Sequence, residues 1–268
     1  MLYRMRLPLF QLDAFASQLF GGNPAAVMPL TAFLPDRVLL AIAAENNLSE
    51  TAFLVPVGED YHLRWFTPAA EVPLCGHATL ASAAVVMERL QPQRAAVVFH
   101  TASGALTVHR RGQRYLMDFP ARTAEPATGS AALAAALGVL PLEVRATDFN
   151  YLALLDSAAA LHELTPDMTA LANLDRPGVI VTAPADAPYD FVSRYFAPAK
   201  GVPEDPVTGS AHCTLAPYWA SRLGKTDLTA FQASRRGGEV FCRLRDDRVE
   251  LEGGCVFYLE GTVDIALA

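Results

Sequence analysis

The sequence predicts an α+β fold made of two pseudo-symmetric halves, and two observations carry that expectation. The first is an internal echo. Arg64-Trp65-Phe66-Thr67-Pro68-Ala69-Ala70-Glu71-Val72-Pro73-Leu74-Cys75-Gly76-His77-Ala78 returns 130 residues later as Arg194-Tyr195-Phe196-Ala197-Pro198-Ala199-Lys200-Gly201-Val202-Pro203-Glu204-Asp205-Pro206-Val207-Thr208-Gly209-Ser210-Ala211. Arg, an aromatic, Phe, Pro and Val-Pro recur in register, and the second copy has three extra residues before its glycine. The second observation is the order of elements: strand, helix, strands, helix, strands runs through the chain twice. In 268 residues an offset of 130 is close to half, which points to duplication of a whole half. The expected halves are residues 1–125 and 126–268, joined at Glu125-Pro126-Ala127-Thr128-Gly129-Ser130.

Each element has a local reason. Leu7–Phe15 alternates apolar residues as a strand does, and Gly21-Gly22-Asn23-Pro24 punctuates it before a short strand at Ala25–Met28. Pro35-Asp36 opens a helix to Glu45, with Val38, Leu39 and Ile42 on one face. Thr51–Val55 and Tyr61–Phe66 read as strands turned at Gly58, and the Ala-rich segment His77–Leu90 as a helix. Ala95–Phe99, Leu106–Arg110 and Tyr115–Phe119 follow as strands, the last two a hairpin about Gly112. The second cycle comprises an Ala-rich helix, strand Phe149–Leu155, helix Met168–Asn173, and strands Val179–Thr182 and Phe191–Phe196. It continues with helix Ala211–Leu223, closing strands Val240–Leu244 and Val249–Leu251, and a separate last segment Val256–Val263.

Composition narrows the function. Hydrophobic residues make up 52% of the chain, ample for a packed core. The net charge of −7, without any long basic run, argues against nucleic acid as a partner. No stretch reaches the ~18–20 apolar residues that a membrane helix needs, and the opening residues are not expected to act as a signal peptide. Cys75, Cys213, Cys242 and Cys255 show no CxxC spacing, so neither a metal cage nor a disulfide framework is expected and a cytoplasmic compartment fits. His62, His100, His109, His162 and His212 have no metal-ligand spacing, and no phosphate-binding glycine loop is present.

Several residues could carry chemistry. Gly76 and Gly209 each open a helix with small residues, where free N–H groups and the positive dipole end favour a carboxylate. The plainer reading is two turn glycines. Glu50 stands at the mouth of an apolar strand, Thr51–Val55, where partial desolvation suits a general base; the alternative is a solvated or capping glutamate. Glu204-Asp205 lies in a loop stiffened by Pro203 and Pro206, with adjacent like charges. His77, one residue inside its helix, could donate a hydrogen bond or shuttle a proton, or be structural. Cys75 could be an acid/base thiol at a helix start, but Thr208 occupies the matching place in the second copy. The pair of thiols required by a two-base racemase is therefore missing, and a buried, inert Cys75 is the simpler reading.

With these residues in view the chain resembles the phenazine-biosynthesis PhzF-like family, within the diaminopimelate epimerase-like fold. The resemblance rests on Asp13-Ala14-Phe15, Gly22-Asn23-Pro24-Ala25-Ala26-Val27, Asn47-Leu48-Ser49-Glu50-Thr51, Cys75-Gly76-His77-Ala78-Thr79 and Glu204-Asp205-Pro206-Val207-Thr208-Gly209-Ser210-Ala211, and it runs nearly end to end. It implies two similar domains, each a strongly curved mixed sheet around a central helix, with a site in the cleft between them and a last strand crossing back to the first half. It also implies a homodimer and no cofactor or metal. The family member that names the group isomerises trans-2,3-dihydro-3-hydroxyanthranilate, with the glutamate matching Glu50 as acid/base. The resemblance adds His77 and Asp205 to the catalytic set. Gly76, Gly209, Ser210, Thr208 and Cys75 are expected to bind a small carboxylic or amino acid. The competing expectations are an amino-acid racemase or epimerase of the same fold, and a non-catalytic small-acid-binding protein.

Overall fold

The structure is a computed structural model that describes residues 3–127 and 130–267. The chain packs into two units. One is formed by residues up to Asp118 together with the segment from Glu252, and the other is Phe119–Leu251. The linker-like Glu125–Ser130 falls inside the second unit, and its Thr128 and Gly129 lie outside the described residues.

The first unit opens with β1 (Tyr3–Ala14), β2 (Asn23–Pro29), α1 (Asp36–Asn46), β3 (Glu50–Val57), β4 (Asp60–Phe66) and β5 (Glu71–Val72). It continues through α2 (Gly76–Val85), a π-helical turn at Val86–Leu90, then β6 (Ala96–Thr101), β7 (Gly104–Arg111) and β8 (Arg114–Pro120). The second unit contains β9 (Glu125–Pro126), α3 (Ser130–Leu137), β10 (Glu143–Ala146), β11 (Asn150–Leu154), α4 (Ala158–Glu163), α5 (Met168–Ala172), β12 (Gly178–Pro184) and β13 (Phe191–Ala197). A 3₁₀ turn at Pro198–Lys200 leads to β14 (Val202–Asp205), α6 (Gly209–Leu223), β15 (Asp227–Gln232), β16 (Gly238–Arg245) and β17 (Arg248–Leu267).

The strand ladders repeat. In the first unit β2 runs parallel to β3, β3 antiparallel to β4, β4 antiparallel to β5 and parallel to β6, and β6 antiparallel to β7. In the second, β11 is parallel to β12, β12 antiparallel to β13, β13 antiparallel to β14 and parallel to β15, and β15 antiparallel to β16. The register repeats as well: Phe66 pairs with Thr51, the second residue of β3, and Phe196 with Val179, the second residue of β12. Both Phe rings carry an arginine over their face, Arg64 at 5.1 Å and Arg194 at 4.9 Å.

Each unit is threaded by one buried helix. All of α2 from His77 to Val85 is buried. Its side chains are mostly alanine-sized, so strands can close on every face, and α2 packs against β1, β2 and β3. The hydroxyls of Thr79 and Ser82 donate back to the carbonyls of Cys75 and Ala78 at 2.6 and 2.7 Å, which satisfies them without solvent. In α6, Pro217 removes the N–H that would bond the Cys213 carbonyl; the Arg122 amide donates there instead, at 2.9 Å. Trp219 of α6 stacks on Phe191 with 5.5 Å between ring centroids and donates to the Thr182 hydroxyl at 2.9 Å.

Two sequence expectations require correction. The helix expected over His77–Leu90 is α-helical only to Val85; the last turn widens, with the Gln91 amide reaching back to the Val86 carbonyl at 2.7 Å. The segments Val249–Leu251 and Val256–Val263 are parts of one strand, β17. Gly253 and Gly254 between them are not a turn. They allow close approach: a Cβ at Gly253 would sit 2.4 Å from the Phe15 ring, and one at Gly254 2.6 Å from the Ala16 carbonyl oxygen. β17 from Glu252 onward runs with the first unit, pairing antiparallel with β1.

Candidate active site

Glu50 is set by a short chain of local constraints. The C-cap of α1, Asn47, has a left-handed φ of 49°, a conformation that asparagine tolerates. Ser49 then donates to the Asn23 side-chain oxygen at 2.9 Å, and Asn46 to the Thr51 hydroxyl at 3.0 Å. These bonds hold Glu50 at the first position of β3, opposite Ala25 of β2. Its side chain is 17% exposed.

His77 meets it there. Its Nε2 lies 3.1 Å from Glu50 Oε2, and its Nδ1 lies 3.5 Å from Cys75 Sγ. Among the described residues neither Glu50 Oε2 nor His77 Nε2 has an aligned hydrogen-bond partner, although both are shielded from solvent. The pair is thus at ion-pair distance with hydrogen-bonding capacity still unused. A buried polar atom left in that state is costly unless something else engages it.

The charges follow from this geometry. Burial opposes a charged His77 ring, but the Cys75 sulfur and the Glu50 carboxylate outweigh it and raise His77 well above its ordinary range. Burial, and after it the Glu50 charge, pushes the Cys75 thiol up, against the opposing pull of His77 and the Ala78 amide.

The oxygen, sulfur and nitrogen donors of Glu50, Cys75 and His77 lie within 4.8 Å of one another. Within that triangle the shortest contact is the one between Glu50 and His77, an ion pair with a thiol beside it.

In the second unit the loop before α6 is built around Asp205. Thr208 donates its hydroxyl to Asp205 Oδ2 at 2.5 Å. Gln232 of β15 ties the loop from below. It donates to the Asp205 carbonyl at 2.8 Å and to the Thr208 hydroxyl at 3.2 Å, and accepts from the Thr208 amide at 2.8 Å. Gln232 is fully buried, and sequence reasoning missed it. Its role depends on β15 lying beside β13, a non-local pairing that no nearby motif announces.

The adjacent pair Glu204-Asp205 does not act as a unit. Glu204 accepts a two-pronged contact from Arg194, at 2.7 and 3.0 Å, in a half-buried setting. The first unit has the same device: Arg64 grips Glu71 at 2.7 Å through each prong. The three extra residues of the second copy therefore move the glutamate along the chain without changing its job. Glu204 braces the loop through Arg194, whereas Asp205 takes the Thr208 hydroxyl.

Gly76 and Gly209 are not turn glycines. Each is the first residue of its helix, and neither has a positive φ. A Cβ at Gly76 would come no closer than 4.0 Å to the Met117 methyl, and one at Gly209 no closer than 3.6 Å to Leu251. Nothing in the protein's own packing demands glycine at either place. Neither helix start is capped by the side chain of the preceding Cys75 or Thr208. Ser210 is exposed, while Cys75 and Thr208 are buried and face His77 and Asp205. A surface cleft of the second unit, about 690 Å³ and lined by Arg122, Glu125, Thr147, Asp148, Phe149 and Arg176 among others, includes none of these residues.

Comparison with known proteins bears directly on this geometry. The profile of the family described as "Phenazine biosynthesis-like protein" matches residues 12–261, and the chain belongs to that family. A relative from Pseudomonas aeruginosa, named an uncharacterized isomerase, is 51% identical over 97% of this chain and 100% of its own. The crystal structure of a PhzF-family phenazine biosynthesis protein from Enterococcus faecalis is similar at a TM-score of 0.94 and 43% identity, covering 97% of this chain and 99% of that one. A hydroxyproline epimerase from Agrobacterium vitis has a TM-score of 0.64 at 12% identity, over 100% of this chain and 94% of its own, a likeness in fold alone. The fold is thus the α+β, epimerase-like one, and the isomerase-named relatives support isomerase-type chemistry. No helix among the described residues is long and apolar enough to cross a membrane.

Proposed function

We propose that this chain is a cofactor-independent isomerase that moves a proton on a small unsaturated or cyclic carboxylic or amino acid, similar to trans-2,3-dihydro-3-hydroxyanthranilate isomerase. The observation that carries the reading is Glu50 Oε2: shielded from solvent, 3.1 Å from a buried imidazole, and without an aligned partner. A carboxylate kept in that condition is available to take a proton from bound substrate and return it to another carbon. His77, charged beside it, stabilises negative charge as that charge moves from Glu50 to the substrate.

Asp205, braced by Thr208 and Gln232, is assigned to orienting the substrate, together with Ser210. The open helix starts at Gly76 and Gly209 offer N–H groups to its carboxylate. Cys75 and Thr208 complete the set from behind. A homodimer and a cytoplasmic setting belong to the same proposal. The two-thiol racemase loses ground because Thr208 stands where a second thiol would be, its hydroxyl given to Asp205.

The test is a thermal-shift screen of purified protein against small carboxylic acids, followed by incubation of the hits in D₂O. A hit that gains deuterium and changes double-bond position supports the isomerase. A hit that inverts at its α-carbon supports the racemase, and binding without exchange supports a non-catalytic binder.

A further inference from the structure

Cys75 has no task in the reaction just described, yet it holds a specific place. It is the N-cap of α2, two residues before His77, with its Sγ 3.5 Å from His77 Nδ1. The sulfur, a ring nitrogen and a carboxylate oxygen form a tight triangle, within 4.8 Å of one another. An imidazole that must present Nε2 to a carboxylate needs an acceptor for its other N–H, which fixes the ring plane. The buried start of α2 offers no solvent for that purpose.

We infer that Cys75 is a positioning residue for the Glu50–His77 pair: its sulfur accepts the His77 Nδ1–H and holds the ring with Nε2 close to Glu50. This rests on the Glu50 reading for its catalytic meaning, but the contact itself does not depend on turnover. Among the described residues the other ionisable groups on the packed elements are engaged elsewhere. α2 packs against β1, β2, β3 and the Val86–Leu90 turn, whose Glu88 accepts from Tyr115 and whose Arg89 donates to Glu260. β2 has no ionisable side chain, and β3 contributes Glu50 alone. On β1, Asp13 accepts from the Phe20 amide and Arg6 donates to Thr262, while Arg4 is exposed. A buried thiol is a weak acceptor, but it is large enough to reach a ring nitrogen at 3.5 Å, where a serine oxygen at the same place would fall short.

The experiment is long-range ¹H–¹⁵N NMR of protein labelled at histidine nitrogen, with His77 assigned through His77→Gln. In the wild type at pH 7 both His77 nitrogens should show protonated shifts. Cys75→Ala removes the acceptor while burial continues to oppose the charge, so the His77 midpoint should fall. Cys75→Ser should recover part of that fall, and kcat should follow the same order with KM nearly constant. An unprotonated Nδ1 in the wild type at pH 7 would overturn the inference, as would an unmoved midpoint in Cys75→Ala. If Cys75→Ala does not fold, the wild-type spectrum decides alone. The NMR readings are taken without substrate, so they stand or fall separately from the general-base role of Glu50.

Discussion

The repeated arginine–glutamate brace gives an asymmetric prediction. Arg194 and Arg64 occupy matching places, but their surroundings differ. The Arg194 side chain is 12% exposed and its partner Glu204 21%. Besides its two contacts with Glu204, Arg194 donates to the carbonyls of Leu161 and Leu164 at 3.2 and 2.6 Å, closing the end of α4. Arg64 is 24% exposed, and its partners Glu71 and Asp36 are 39% and 76% exposed. Truncating Arg194 leaves a half-buried carboxylate and the Leu164 carbonyl without these donors, while the Leu161 carbonyl keeps the Leu164 amide at 3.4 Å; the loss should be about 3 kcal/mol, the lower end for breaking a buried pair. Truncating Arg64 releases groups that water can solvate, for about 1 kcal/mol. Each unit has one buried tryptophan, Trp65 and Trp219. Urea unfolding followed by fluorescence, in Trp65→Phe and Trp219→Phe backgrounds, therefore reads the two units in turn. Arg194→Ala should cost about 2 kcal/mol more than Arg64→Ala. Equal costs, or an Arg194→Ala loss below about 1 kcal/mol, would refute the view that this brace holds the Asp205 loop.

Two further outcomes follow from the same reasoning. Burial pushes His212 down to about 4, with the Thr208 carbonyl opposing, so it stays neutral in the fold while the unfolded chain binds a proton below about 6.5. Its contribution is present above that pH and is lost as pH falls toward 4, at ~1.4 kcal/mol per unit at the steepest; urea midpoints across this window should fall faster for the wild type than for His212→Gln, and parallel curves would contradict it. Activity should survive exhaustive dialysis against chelator, because His62, His100, His109, His162 and His212 have no metal-ligand spacing and the proposed proton transfer by Glu50 needs no ion; a loss reversed by added divalent ion would overturn that.

Much of the fold was legible because its signals are local or repeated. The Arg-aromatic-Phe echo marked β4 and β13, and the ladders around them share one register at Phe66 and Phe196. Glycine followed by small residues marked the starts of α2 and α6. The short pieces were not legible: β5, β9 and β14 have two to four residues, too few for any period to show. β17 was split in two because a Gly-Gly pair reads as a turn unless Phe15 and Ala16 are known to lie against it. The candidate site divides the same way. Glu50, His77 and Asp205 stood out by residue type and setting. The hold of Gln232 on Asp205, the diversion of Glu204 to Arg194, and the meeting of Glu50 with His77 all depend on contacts between residues apart in the chain, which a single sequence does not reveal.

The central claim is that Glu50 moves the proton, and Glu50→Gln tests it most directly. The amide keeps the shape of the side chain and can still lie beside His77, but it cannot take a proton. On whichever acid proves to be the substrate, binding measured by thermal shift should persist while turnover and deuterium exchange fall by about 10²–10⁴-fold, the range for loss of a general acid–base group. A folded Glu50→Gln protein that turns over within a few-fold of the wild type would contradict the account, and a Cys75→Ala protein that is folded but inactive beside it would move the base to the thiol.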